Sequence, residues 1–101
     1  MIESVEFTSG ARADVRAGAR YYEEKLEGLG LRFASAVELE ATNILTVPNR
    51  YPIATGDIRQ SKIKKFPYTI YFRLLEDRVV VICVHAVRRD PVELLNILSR
   101  R

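Results

Sequence analysis

Among sixteen Lys/Arg, five Tyr and one His, seven side chains in the second half of the chain are the candidates to act on something outside it. Five are cations: Arg59, Lys62, Arg73, Arg88 and Arg89. Two, Tyr71 and His85, can exchange a proton. The planar fork of an arginine suits a phosphate or a carboxylate, so Arg59, Arg88 and Arg89 read as groups that recognise an anion. The plain alternative is a solvated charged face, with Arg89 pairing to Asp90 or Glu93. His85 is the one histidine, and it lies in a mostly apolar stretch. There the preferred reading is a histidine hydrogen-bonded within the fold. Strict alternation in its strand puts His85 on a face with Val81, Cys83 and Val87, and Tyr71 with Thr69 and Arg73.

Other chemistry is hard to assemble. One His and one Cys do not make a zinc site, and no metal or other cofactor is implied. The five glycines are scattered and form no phosphate loop. No Ser-His-Asp assignment is supportable. Cys83 sits in an apolar run and reads as a small buried hydrophobe.

The charge is divided along the chain. Residues 1–58 carry six Lys/Arg against nine Asp/Glu, and residues 59–101 carry ten against four. The formal net charge of +3 conceals this contrast. A basic half on so small a domain points to an anionic partner, whether nucleic acid, ribosome or an acidic protein segment. The stretch from Met1 to Glu6 has no basic and apolar regions of the signal-peptide kind. The longest apolar run, Val79 to Val84, is too short to span a bilayer. No membrane partner is implied, and the expected location is the cytoplasm.

These groups need a scaffold. Ile2, Val5 and Phe7 mixed with Glu3 and Glu6 predict a short strand. Thr8 or Ser9 can cap a following helix, in which Ala11, Val15, Ala19, Tyr22 and Leu26 share a face. Asp14 is expected in its first turn, and Gly28 and Gly30 at its end. A second helix shows a stripe of Phe33, Val37, Ala41 and Ile44, and Pro48 stops it. Two helices so close must form an antiparallel hairpin, with Tyr21, Tyr22 and Phe33 in its core and seam. Asn49-Arg50-Tyr51-Pro52 reads as a turn-rich link.

From Asp57 the period changes. Ile58 to Ile63 alternates as a strand with one wet face, and Lys62, Lys64 and Lys65 suit an edge. Tyr68 to Leu75 and Val79 to Val87 read as further strands, the last placed centrally for its apolarity. Asp90, Pro91 and Glu93 form a helix start. The predicted fold is α+β, one domain over 1–101. An antiparallel sheet of about four strands carries the helical hairpin on one face, with a short C-terminal helix, in the order β-α-α-β-β-β-α.

Several strings, in this order, resemble the RelE/ParE toxin superfamily, in the branch often called plasmid stabilisation proteins. They are Ala13-Asp14-Val15 with Tyr21-Tyr22-Glu23-Glu24; Gly30-Leu31-Arg32-Phe33; Pro48-Asn49-Arg50-Tyr51-Pro52; Ile58-Arg59; Phe66-Pro67-Tyr68-Thr69-Ile70-Tyr71-Phe72; and Val84-His85-Ala86-Val87-Arg88-Arg89-Asp90-Pro91. The resemblance implies the toxin of a type II toxin–antitoxin system, held by a cognate antitoxin in a hetero-oligomer.

The resemblance also implies a choice between two actions. ParE-like members inhibit DNA gyrase by binding and are not enzymes. RelE-like members cut messenger RNA on the ribosome without a metal. That chemistry needs a base, cations for the developing charge and an acid. Arg59, Tyr71, His85 and Arg88 are its candidates here. After Arg89, however, there is no Tyr, His or Lys, which departs from the nuclease pattern. The expectation is therefore a ParE-like toxin whose target-binding residues are Arg59, Lys62, Arg73, Arg88 and Arg89. The alternatives are the nuclease, and an inactive member that only binds its antitoxin and regulates its own operon.

Overall fold

The computed structural model describes residues 2–101. Strand β1 (Ser4–Phe7) leads into helix α1 (Ser9–Lys25). Thr8 caps that helix, its hydroxyl accepting the Ala11 N–H at 3.2 Å. Helix α2 (Leu29–Thr46) folds back on α1. Gly28, between them, takes φ 88, where a side chain is disfavoured. A single 3-10 turn (Pro48–Arg50) follows, then β2 (Ile53–Thr55), β3 (Ile58–Lys62), β4 (Tyr68–Leu74) and β5 (Arg78–Ala86). Helix α3 (Pro91–Arg100) ends the order, with the Asp90 carboxylate accepting the Val92 N–H at 2.9 Å.

The sheet has five strands in the order β1-β5-β4-β3-β2. It is mixed, because β1 runs parallel to β5, with Phe7 opposite Val81. The remaining pairs are antiparallel. The most apolar strand, β5, thus lies between two neighbours, and β1 takes an outer position. The extra strand β2 arises from the expected link. Its three residues are exposed and carry no alternation that would mark them as a strand. β2 pairs only with the start of β3, at Ile58 and Arg59, so Lys62 lies beyond its cover on the outer side of β3.

The hairpin packs on one face. Phe33, Val37 and Ile44 from α2 meet Ile70, Phe72, Val79, Val81 and Val84 of the sheet. Helix α3 packs on the other face, where Leu98 meets Ile58, Tyr71, Ile82 and Cys83. Neither face of β3 is wholly wet, since Ser61 looks to the hairpin and Ile58 to α3.

Four details of the expected hairpin differ. Leu26 lies just beyond α1 and is 59 % exposed. Tyr21 is 51 % exposed, and only Tyr22 turns into the seam with Phe33. Adjacent helix positions point about 100° apart, so one seam takes one of the two. Asp14 is past the first turn and serves another purpose, described below. Gly30 does not end α1. It sits inside α2, where a Cβ would come within 2.5 Å of the Ala19 carbonyl oxygen. Gly30→Ala is expected to push the helices apart and cost about 1–3 kcal/mol. Urea unfolding measures this, and a change below about 0.5 kcal/mol would show that the crossing has room.

Candidate functional site

The bulge in β5 decides which side chains meet. Tyr71 of β4 faces Cys83, while the next residue, Phe72, faces Val81. Ile82 is the extra residue, and Ile82 and Cys83 both turn to the α3 side. His85 therefore shares a face with Cys83 but not with Val81, which packs against the hairpin. Strict alternation placed His85 and Val81 together, and the bulge corrects it.

On the α3 face, paired residues form rows across three strands. Lys62 pairs with Thr69, and Thr69 with His85. Gln60 pairs with Tyr71, and Tyr71 with Cys83. Lys62 is exposed, whereas His85 and Tyr71 are 5 % and 7 % exposed. Burial raises the Tyr71 phenol above its ordinary range, with Cys83 adding to the effect. Burial pushes the Cys83 thiol up to about 12, and the neighbouring Asp14 adds to it. At neutral pH both groups are protonated.

His85 goes the opposite way. Burial lowers its value, and the nearby Arg89 guanidinium lowers it further, against smaller opposing effects from Glu93 and Asp14. Its Nε2 is buried and has no hydrogen-bond partner among the described residues. A histidine with a folded value below 6.5 takes its proton more readily in the unfolded chain. The stability it contributes is fully present above that value and is lost as pH falls through the lower folded one. Thermal unfolding between about pH 7.5 and 5.5 should thus show a falling midpoint. His85→Gln should flatten that limb, and an unchanged slope in the variant would assign it to other groups.

The other candidates are dispersed. Arg59 points to the hairpin side and donates to the Tyr51 carbonyl at 2.7 Å, pinning the link to β3. Arg73 is on the α3 face, 3.4 Å from the Asp57 carboxylate, and donates to the Arg101 carbonyl at 3.3 Å. Arg88 and Arg89 remain together where the chain leaves β5. Both are exposed, and Arg89 reaches only a distant 3.9 Å pairing with Glu93.

Beside these two arginines lies a hollow of about 400 Å³ between α1 and the near ends of β4 and β5. Tyr21, Tyr22, Pro67 and Tyr68 wall it. Burial raises the Tyr22 and Tyr68 phenols, so both are neutral and the charge there comes from Arg88 and Arg89. The tyrosines were not among the residues the sequence singled out for function. The adjacency of Tyr21 and Tyr22 was the available signal, since both cannot occupy the seam.

Asp14 borders the same hollow but is engaged. Beyond Val81 the β1 side of β5 has no strand neighbour, and side chains take its backbone groups. Asp14 accepts the Val84 N–H at 3.0 Å and receives Arg101 at 2.6 and 3.3 Å. Arg101 also donates to the Ile82 carbonyl at 2.9 Å. One ionic clamp joins α1, β5 and the end of α3. A second polar tie lies on the hairpin face, where Ser61 of β3 donates to the buried Glu40 carboxylate of α2.

No protein-family model matches this sequence, and no curated protein is recognisably similar to it. Similarity appears in three dimensions. The hairpin, the mixed sheet and the short last helix make an α+β fold, the class expected from the sequence. A chain in the solved structure of a chromosomal ParDE TA system from P. aeruginosa superposes with a TM-score of 0.77 at 18 % identity. The match covers 86 % of this chain and 98 % of that one. No helix among the described residues is long and apolar enough to cross a membrane.

Proposed function

We propose that this chain is the toxin of a type II toxin–antitoxin system, of the ParE kind. It acts in the cytoplasm by binding, with DNA gyrase as its target, and a cognate antitoxin neutralises it in a hetero-oligomer. The observation that carries this reading is the fold shared with a chain of a ParDE system over nearly all of that chain's length. The state of the acid–base groups supports binding over cleavage. Tyr71 and His85 are buried beside α3, and Arg59 is on the opposite face and engaged with backbone. The cations Lys62, Arg88 and Arg89 are exposed to a target, Arg89 with only a distant pairing to Glu93, and Arg73 and Arg59 contribute from partly covered positions.

The purified chain is expected to inhibit supercoiling by gyrase and to trap cleaved DNA. No inhibition and no trapped breaks would remove gyrase as the target.

The row of Lys62, Thr69 and His85, next to Tyr71, is the one observation that favours the ribosome-dependent nuclease. On that reading Arg59→Ala, His85→Ala or Arg88→Ala relieves toxicity while the chain stays folded, and transcripts are cut within codons. Full toxicity in all three variants would eliminate it. An inactive member that serves only antitoxin binding and autoregulation is excluded by growth arrest on induction.

A further inference from the structure

The hollow beside Arg88 and Arg89 has a composition that the toxin reading does not require. Its walls are aromatic, with Tyr21 half exposed and Tyr22 and Tyr68 partly covered. Small and apolar residues, Ala17, Gly18, Val84 and Ala86, complete the lining. Two exposed arginines stand at its lip, and Lys25 lies 5.0 Å over the Tyr21 ring. The one carboxylate that borders it, Asp14, is occupied by Arg101. Among the described residues Arg88 has no ion pair, and Arg89 has only its distant 3.9 Å pairing with Glu93.

We propose that this hollow is a docking pocket for an acidic peptide segment of a partner protein, with a carboxylate held by Arg88 and Arg89 and an adjoining aromatic side chain laid against the tyrosines. It deepens the binding reading above and rests on it only in expecting a protein partner. Arginine forks hold carboxylates in pairs of parallel hydrogen bonds, and flat tyrosine walls favour a ring over a branched chain. A strand of nucleic acid fits less well. Phosphate recognition along a strand needs a continuing track of cations. Beyond the pocket, the end of α1 and the turn after it interleave exposed Arg20 and Lys25 with exposed Glu24 and Glu27, so carboxylates interrupt the cations. A short acidic segment meets the cations of the pocket, whereas a long polyanion also meets Glu24 and Glu27.

The test is an NMR titration of the ¹⁵N-labelled full chain with three probes. They are the peptide acetyl-Gly-Ser-Asp-Trp-Glu-Ser-Gly-amide, its Asn/Gln counterpart, and a single-stranded oligouridylate. The acidic peptide is expected to shift the amides of Tyr21, Tyr22, Tyr68, Ala86, Arg88 and Arg89. The neutral peptide should do so at least about tenfold more weakly. The Arg88→Gln/Arg89→Gln double variant alters two exposed side chains, and its spectrum reports whether it is folded. It should lose the response. Shifts located elsewhere, equal binding of the neutral peptide, an unaffected double variant, or a stronger response of these amides to the oligouridylate would each overturn the proposal. Growth arrest is scored separately. Arrest without peptide shifts removes the pocket and keeps the toxin, and shifts without arrest do the reverse.

Discussion

Phe33→Ala is expected to cost about 3–5 kcal/mol of folding stability. Phe33 has no exposed surface, and its ring lies 4.8 Å from that of Tyr68 and 5.3 Å from those of Tyr22 and Phe66. Truncation therefore removes buried area, leaves a cavity where α2 meets the sheet, and dissolves an aromatic cluster that adds its own contact energy. A domain of this length has roughly 5–15 kcal/mol in total, so one substitution takes a large share of it. Leu31 and Leu39 lie on the same helix and are 74 % and 63 % exposed. Their replacement by Ala should stay within about 0.5 kcal/mol. Urea unfolding of the three variants compares them directly. A Phe33→Ala cost near that of Leu31→Ala would show that the hairpin does not pack as described.

The second large effect concerns Asp14. Its replacement by Ala leaves the Val84 N–H without its acceptor and the Arg101 guanidinium without its anion. Hydrogen bonds to charged groups contribute about 1.5–3 kcal/mol, and a loss in that range is expected. The exposed pairs of Arg78 with Glu6 and Asp77 give a contrast, since such pairs contribute about 0–1 kcal/mol. Arg78→Ala should therefore be much milder than Asp14→Ala. Losing the clamp also loosens α3, and Cys83 reports it. The thiol is wholly buried on the face that α3 covers. In the wild-type chain it should resist a thiol reagent, and in Asp14→Ala and Arg101→Ala it should be labelled markedly faster. Unchanged labelling in both variants would mean that Leu98 and its neighbours hold α3 without the clamp.

These two cases mark how far the sequence could be read. The stripe of Phe33, Val37, Ala41 and Ile44 is a helical period that a single chain displays plainly, and all four are buried. The caps at Thr8 and Asp90 are likewise local chemistry, each a side chain bonding an amide two or three residues on. Asp14 is of another kind. Its partners Val84 and Arg101 lie 70 and 87 residues away, and no local pattern announces them. The parallel pairing of β1 with β5 has the same character, because strand composition does not specify the neighbour.

The bulge at Ile82 is the sharpest case. A single extra residue shifts the face of everything after it, so alternation carried through β5 misplaced His85 relative to Val81. Of the candidate cations, Arg88 and Arg89 stay together because they are adjacent in sequence. Arg59 and Arg73 part company because they stand on opposite faces of the sheet. The aromatic walls beside the two arginines come from α1 and β4, and only the tertiary fold brings them there.

Toxicity and its neutralisation are read directly by the count of viable cells after induction of this chain alone in a bacterial host, beside cells that also express its neighbouring reading frame. A toxin held by an antitoxin gives a steep fall in viability with the chain alone and full rescue by the neighbour's product. Normal growth with folded chain accumulating in the cells would contradict it.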